Sequence, residues 1–172
     1  MPHSPTQNMT RCALCTALLC LCGWISIPLP GISVTMQTFG IFLTLLLLGG
    51  GRGTAAVLGY LALGCVGLPV FTGFRGGIAA LLGPTGGYLW GFLITTLIFW
   101  LLENRLPKLL ALLLGLAGCY TCGTLWYYYS YLGSAGSFLP ILAQCVLPFL
   151  FPDALKLWVA WNLARRIEHL TG

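Results

Sequence analysis

Residues 45–63 read LLLLGGGRGTAAVLGYLAL: four leucines run into three glycines, an arginine and a fourth glycine, and a second apolar stretch follows. Glycine is costly inside a helix, and a permanent charge is costly in lipid, so GGGRGT (49–54) interrupts the apolar run. A glycine-rich loop can also cradle phosphate. This one lacks the lysine and the spacing of a phosphate-binding loop, and it reads as a cytoplasmic turn between two membrane spans.

Composition makes the bilayer the relevant solvent. Of the 172 residues 58% are hydrophobic and only 6% are charged, against about 25% charged in an ordinary soluble domain. Three acidic and eight basic side chains cannot coat a soluble core of this size. The net charge of +5 is no nucleic-acid signal, because no basic patch with interleaved aromatics accompanies it.

A spanning helix needs about 20 mostly apolar residues. Cutting the chain at Gly, Pro and charge leaves six segments, at 11–28, 33–49, 54–70, 86–103, 108–131 and 152–169. Residues 78–82 are too short to span, and 138–151 carries Pro140 and Pro148, which break the backbone ladder of a lipid-exposed helix. The expected fold is therefore all-α: one six-helix membrane domain over 11–172, both termini cytoplasmic, re-entrant external loops, and a disordered stretch over 1–10. Arg11 before an apolar run imitates a signal peptide, but no small-residue cleavage pattern follows, so the segment is expected to stay. The chain is expected in the cell membrane as a multi-pass protein.

With that topology Arg11, Arg52, Arg105, Lys108, Arg165 and Arg166 fall on the cytoplasmic side, as the positive-inside tendency requires. The external side keeps three charges, Arg75, Asp153 and Lys156. Irregular backbone and ionisable groups at membrane depth mark a covered cavity or pathway. We expect the loops 67–87 and 132–153 to fold back and roof such a cavity. Arg75 also suits a headgroup-level position, and Pro152-Asp153 also suits a helix start, with the acid at the positive end of the dipole.

Two cations and one carboxylate suit a small molecule that carries an anionic group and, elsewhere, N–H donors. Gln37 adds an amide that both gives and accepts. Phe71 and Tyr88 supply apolar walls. Trp126 and Tyr127 to Tyr131 fit either a wall or an interfacial aromatic belt.

Three blocks, ISIPLPGISVTMQTF (25–39), GLPVFTGFRGGIAALLGPTGGYLWGF (67–92) and LPFLFPDALK (147–156), resemble the BioY family, the biotin-binding S components of energy-coupling factor (ECF) transporters. The resemblance runs from about residue 11 to 169. It implies that biotin binds near the external face, and that the partners are a transmembrane coupling subunit and two cytoplasmic ATPase subunits. It implies no catalysis and no cofactor in this chain. Asp153 and Lys156 match the family's polar pair, and Gln37 matches the glutamine of its VT-x-QT turn. Phe74 stands where the family often has glycine. Asp153 would accept from the ureido N–H groups of biotin, and a cation would hold its carboxylate.

Ala13 and Ala17, four apart on the first helix, let another helix approach closely, either inside the bundle or from a partner. The family's AxxxA pattern, which Ala13-x-x-x-Ala17 matches, implies contact with the coupling subunit. Cys12/Cys15 and Cys119/Cys122 are both C-x-x-C and raise the alternative of a membrane thiol oxidoreductase. Both pairs fall inside expected spans, where they fit as packing residues. A further alternative is an S component for a different small anionic vitamin. Neither a catalytic Ser/His/Asp arrangement nor a metal-ligand set is legible.

Overall fold

A computed structural model describes residues 4–27, 34–131 and 138–171, and these are mostly helical. Helix α1 (Pro5–Trp24) begins at a capping box: Ser4 Oγ accepts from the Gln7 N–H at 3.3 Å, and Gln7 Oε1 accepts from the Ser4 N–H at 3.0 Å. The helix therefore takes in residues 5–10, which the sequence reading leaves disordered. Apolar content locates the part of a helix that suits lipid, whereas the cap decides where the helix starts.

Counted without interruption, α2 (Gln37–Cys65) has 29 residues and enough apolar character to cross a membrane. It is not one rod. Gly49 has φ 75° and ψ 177°, a region essentially reserved for glycine. Gln37 donates from its amide to the Tyr60 hydroxyl, although in a straight helix the two would stand about 34 Å apart. A Cβ on Gly53 would lie 3.5 Å from the Leu45 Cα. The chain therefore reverses at Gly49, giving antiparallel arms 37–48 and 50–65, and the turn expected at 49–54 is present. The Glu103 carboxylate accepts from the Gly50 N–H at 2.8 Å and caps the second arm.

Along that second arm lies α1, with Thr16 Oγ1 donating to the Ala56 carbonyl at 3.0 Å. Helices α4 (Gly86–Leu102) and α5 (Lys108–Tyr131) form an antiparallel pair. Small residues make the pair close: a Cβ on Gly91 would fall 3.0 Å from the Cys119 Cα, and one on Gly115 would fall 3.3 Å from the Thr95 Cα. Lipid offers no hydrophobic gain for helix association, so this close approach supplies the dispersion contact that holds the pair. Within α5, Lys108–Ser130 is long and apolar enough to cross a membrane, and α4 is a shorter apolar helix.

The last helix differs from expectation. Helix α6 runs Phe138–Thr171 with Pro148 and Pro152 inside it, so 138–151 continues the final helix where a loop was expected. Each proline removes one ladder bond without ending the helix, as membrane helices tolerate. At 34 residues a straight α6 would measure about 51 Å, well beyond an apolar core of about 30 Å. Pro152 is therefore no helix start, and Asp153 lies far from the positive end of the α6 dipole.

Ser26–Ile27 (β1) pairs antiparallel with Val34–Thr35 (β2) in the first loop. Residues 28–33 of that loop lie outside the described residues, as do 1–3, 132–137 and 172. Between α2 and α4 the loop carries one short helix, α3 (Ile78–Leu81). Arg52 donates to Asn8 at 2.9 Å, while Lys108, Arg165 and Glu168 meet near Leu46. These charges therefore gather at the end of the bundle that holds the Gly49 turn.

Candidate functional site

At the opposite end the first loop, the 67–85 loop and helices α4, α5 and α6 enclose a cavity of about 380 Å³. Gln37, Phe71, Arg75, Tyr88, Asp153 and Lys156 all line it. Trp126 is not among the lining residues. Its indole N–H donates to the Gly83 carbonyl at 3.1 Å and fastens the loop to α5.

The loop's shape follows from its glycines and one exception. Phe71 N–H donates to the Arg75 carbonyl at 2.9 Å, which closes a tight turn through Gly73 (φ 72°) and Phe74 (φ 58°). Phenylalanine is rare at positive φ. Phe74 is held by stacking on Trp24, with ring centroids 5.2 Å apart, and it is outside the cavity lining. Trp24 also donates to the Pro69 carbonyl at 2.7 Å, so α1 anchors this loop twice. Phe71 is buried edge-on to Tyr60 and fills the space over Gly64, where a Cβ would lie 1.9 Å from its ring.

Asp153 is 1% exposed and Lys156 8%. Their spacing puts them on one face of α6, and Lys156 Nζ lies 2.7 Å from Asp153 Oδ1. A buried pair of this kind is tolerable only with further hydrogen bonds. Thr38 Oγ1 donates to Asp153 Oδ1 at 2.8 Å, and the Tyr120 hydroxyl donates to Oδ2 at 2.6 Å. Lys156 also donates to the Thr35 carbonyl at 2.6 Å and to Thr38 Oγ1 at 3.2 Å.

Counting lone pairs and hydrogens separates the candidates. A carboxylate has about four acceptor positions, and three on Asp153 are taken, which leaves one for an incoming N–H. All three Lys156 hydrogens are engaged within the protein. The Gln37 carbonyl accepts from Thr35 Oγ1 and Thr72 Oγ1, both at 3.1 Å, so this side chain mainly ties the loop to α2. The Arg75 guanidinium offers five donors and has no side-chain partner among the described residues. Arg75 is thus the cavity's uncommitted cation.

Sequence reasoning missed Thr38 and Tyr120. Thr38 stands in VTMQT beside Gln37 and was within reach, whereas nothing local links Tyr120 to a carboxylate on another helix. The thiols of Cys12, Cys15, Cys119 and Cys122 are free. Cys119 Sγ donates to the Tyr88 carbonyl at 3.8 Å, in keeping with a packing role. Ala13 and Ala17 lie on the exposed side of α1, while Cys15, Leu19 and Cys22 face the bundle. Internal packing therefore does not explain the two alanines.

The family model described as BioY family matches residues 1–172. The biotin transporter BioY of Thermotoga maritima is 36% identical over 170 residues, covering 95% of this chain and 97% of the relative. The probable biotin transporter BioY of Pyrococcus horikoshii is 39% identical over 162 residues, covering 94% and 96%. The crystal structure of the S-component for biotin from an ECF-type ABC transporter superposes with a TM-score of 0.84 at 30% identity, covering 98% of this chain and 95% of that one.

Proposed function

This chain belongs to the BioY family, and we propose that it is the substrate-binding S component of a biotin uptake system, holding biotin in the 380 Å³ cavity. The carrying observation is the division of labour among the cavity's charges: among the described residues, one buried carboxylate with a single acceptor position left, and one arginine with no side-chain partner. Biotin has N–H donors on its ureido ring and a carboxylate at the end of its chain. Asp153 takes a ureido N–H, Arg75 takes the carboxylate, and Phe71 and Tyr88 cover the apolar ring and chain. Lys156 neutralises Asp153, and Gln37 fixes the loop that carries Phe71 and Arg75.

Six spans, namely α1, the two arms of α2, α4, α5 and α6, put both termini in the cytoplasm and the cavity on the outer side of a prokaryotic cell membrane. The positive-inside tendency supports this orientation, since the end bearing Arg52, Lys108 and Arg165 is the basic one. The chain carries out no reaction itself. A transmembrane coupling subunit and two cytoplasmic ATPase subunits supply the energy, and the exposed Ala13/Ala17 face of α1 meets the coupling subunit. Equilibrium binding of biotin to the purified protein in detergent tests the reading. One saturable site per chain is expected, and lack of saturable binding refutes it.

A further inference from the structure

A second cavity, of about 320 Å³, lies at the basic end of the bundle and is lined by Leu46, Lys108, Trp161, Ala164, Arg165 and Glu168. We propose that it holds the phosphate headgroup of an anionic phospholipid. Its assignment to the cytoplasmic leaflet rests on the orientation proposed above, but the binding itself does not.

The chemistry is that of a headgroup seat. Lys108 opens α5 and Arg165 lies near the end of α6, so two helices aim one cation each into the same cleft. Neither has a side-chain hydrogen bond or ion pair among the described residues. An arginine fork and a lysine point charge together suit a phosphodiester, whose two free oxygens carry one negative charge. The first N–H groups of α5 add the positive end of its dipole on the same side.

The floor is apolar. Leu46 and Ala164 are 6% and 3% exposed, and Trp161 makes a half-buried wall. Beyond the rim α5 presents Leu109, Leu110 and Leu113, which are 44%, 42% and 45% exposed and offer a path for an acyl chain. A freely soluble phosphate would gain nothing from that apolar floor and path, whereas a lipid uses both. Basic pockets between membrane helices are a recognised way of holding acidic headgroups. Glu168, the one acid on the rim, leaves an excess of one positive charge there.

The test is native mass spectrometry of the intact purified protein in detergent, titrated with phosphatidylglycerol or phosphatidylcholine of the same chain length. The parent should retain phosphatidylglycerol in preference to phosphatidylcholine, and inorganic phosphate at equal concentration should not displace it. K108Q combined with R165Q should weaken phosphatidylglycerol binding by about thirtyfold, from about five- to sixfold per basic side chain, with phosphatidylcholine unchanged. E168Q should strengthen phosphatidylglycerol binding, a gain that misfolding cannot imitate. Equal retention of the two lipids, full retention by the double variant, or displacement by inorganic phosphate would each overturn the proposal. Biotin binding is read on the same samples: its absence with lipid selectivity intact would count against the biotin reading alone.

Discussion

Replacing Asp153 by asparagine keeps the shape of the side chain and removes its charge. In the parent three donors converge on this carboxylate, from Lys156, Thr38 and Tyr120. The amide oxygen can still accept from Lys156 and Thr38, but the amide nitrogen then faces Tyr120 and the remaining ligand position, and it has no lone pair to offer. Biotin would lose one charge-assisted hydrogen bond, worth about 1.5–3 kcal/mol, and its dissociation constant should rise by about 10- to 150-fold. Stability falls as well, because Lys156 is left 8% exposed with no counterion, and breaking a buried pair costs about 3–5 kcal/mol. The two effects separate in the variant that combines D153N with K156M. It carries no unpaired buried charge, so thermal unfolding in detergent should recover towards the parent while titration with biotin stays weak. If D153N binds biotin like the parent, or the double variant regains affinity, Asp153 is a structural residue and the assignment of the ureido contact is wrong.

Arg75→Gln should weaken biotin by about tenfold or more, the scale of a charged hydrogen bond, yet leave an analogue with a carboxamide in place of the carboxylate nearly unaffected. Equal losses for both ligands, measured by competition binding, would assign Arg75 to loop folding instead. Ala17→Trp should leave biotin binding in detergent unchanged and abolish co-purification with the coupling subunit, because the indole projects from the exposed face of α1; loss of both would place Ala17 in the bundle's own packing. Gly49→Ala should destabilise the protein by about 1–3 kcal/mol, since φ 75° and ψ 177° suit only glycine, and an unchanged unfolding temperature would show that the turn relaxes without strain.

The sequence alone determined the solvent, the helical class and most of the helix positions. Apolar runs, charge and glycine act locally, and lipid punishes any unpaired backbone wherever it occurs. The turn at GGGRGT was legible for that reason, and α5 occupies the very residues, 108–131, that hydropathy marks out. The same local logic put Asp153 and Lys156 on one helical face. It failed over 138–151, where it treated prolines as terminators, and at residues 5–10, where the Ser4 cap outweighs low hydropathy. The tertiary structure decided what each charge is free to do. Tyr120 and Thr38 reach Asp153 from other helices, and the first loop brings the Thr35 carbonyl to Lys156. A side chain's remaining hydrogen-bonding capacity is set by neighbours distant in the chain, so only the assembled bundle distinguishes the engaged Lys156 from the uncommitted Arg75.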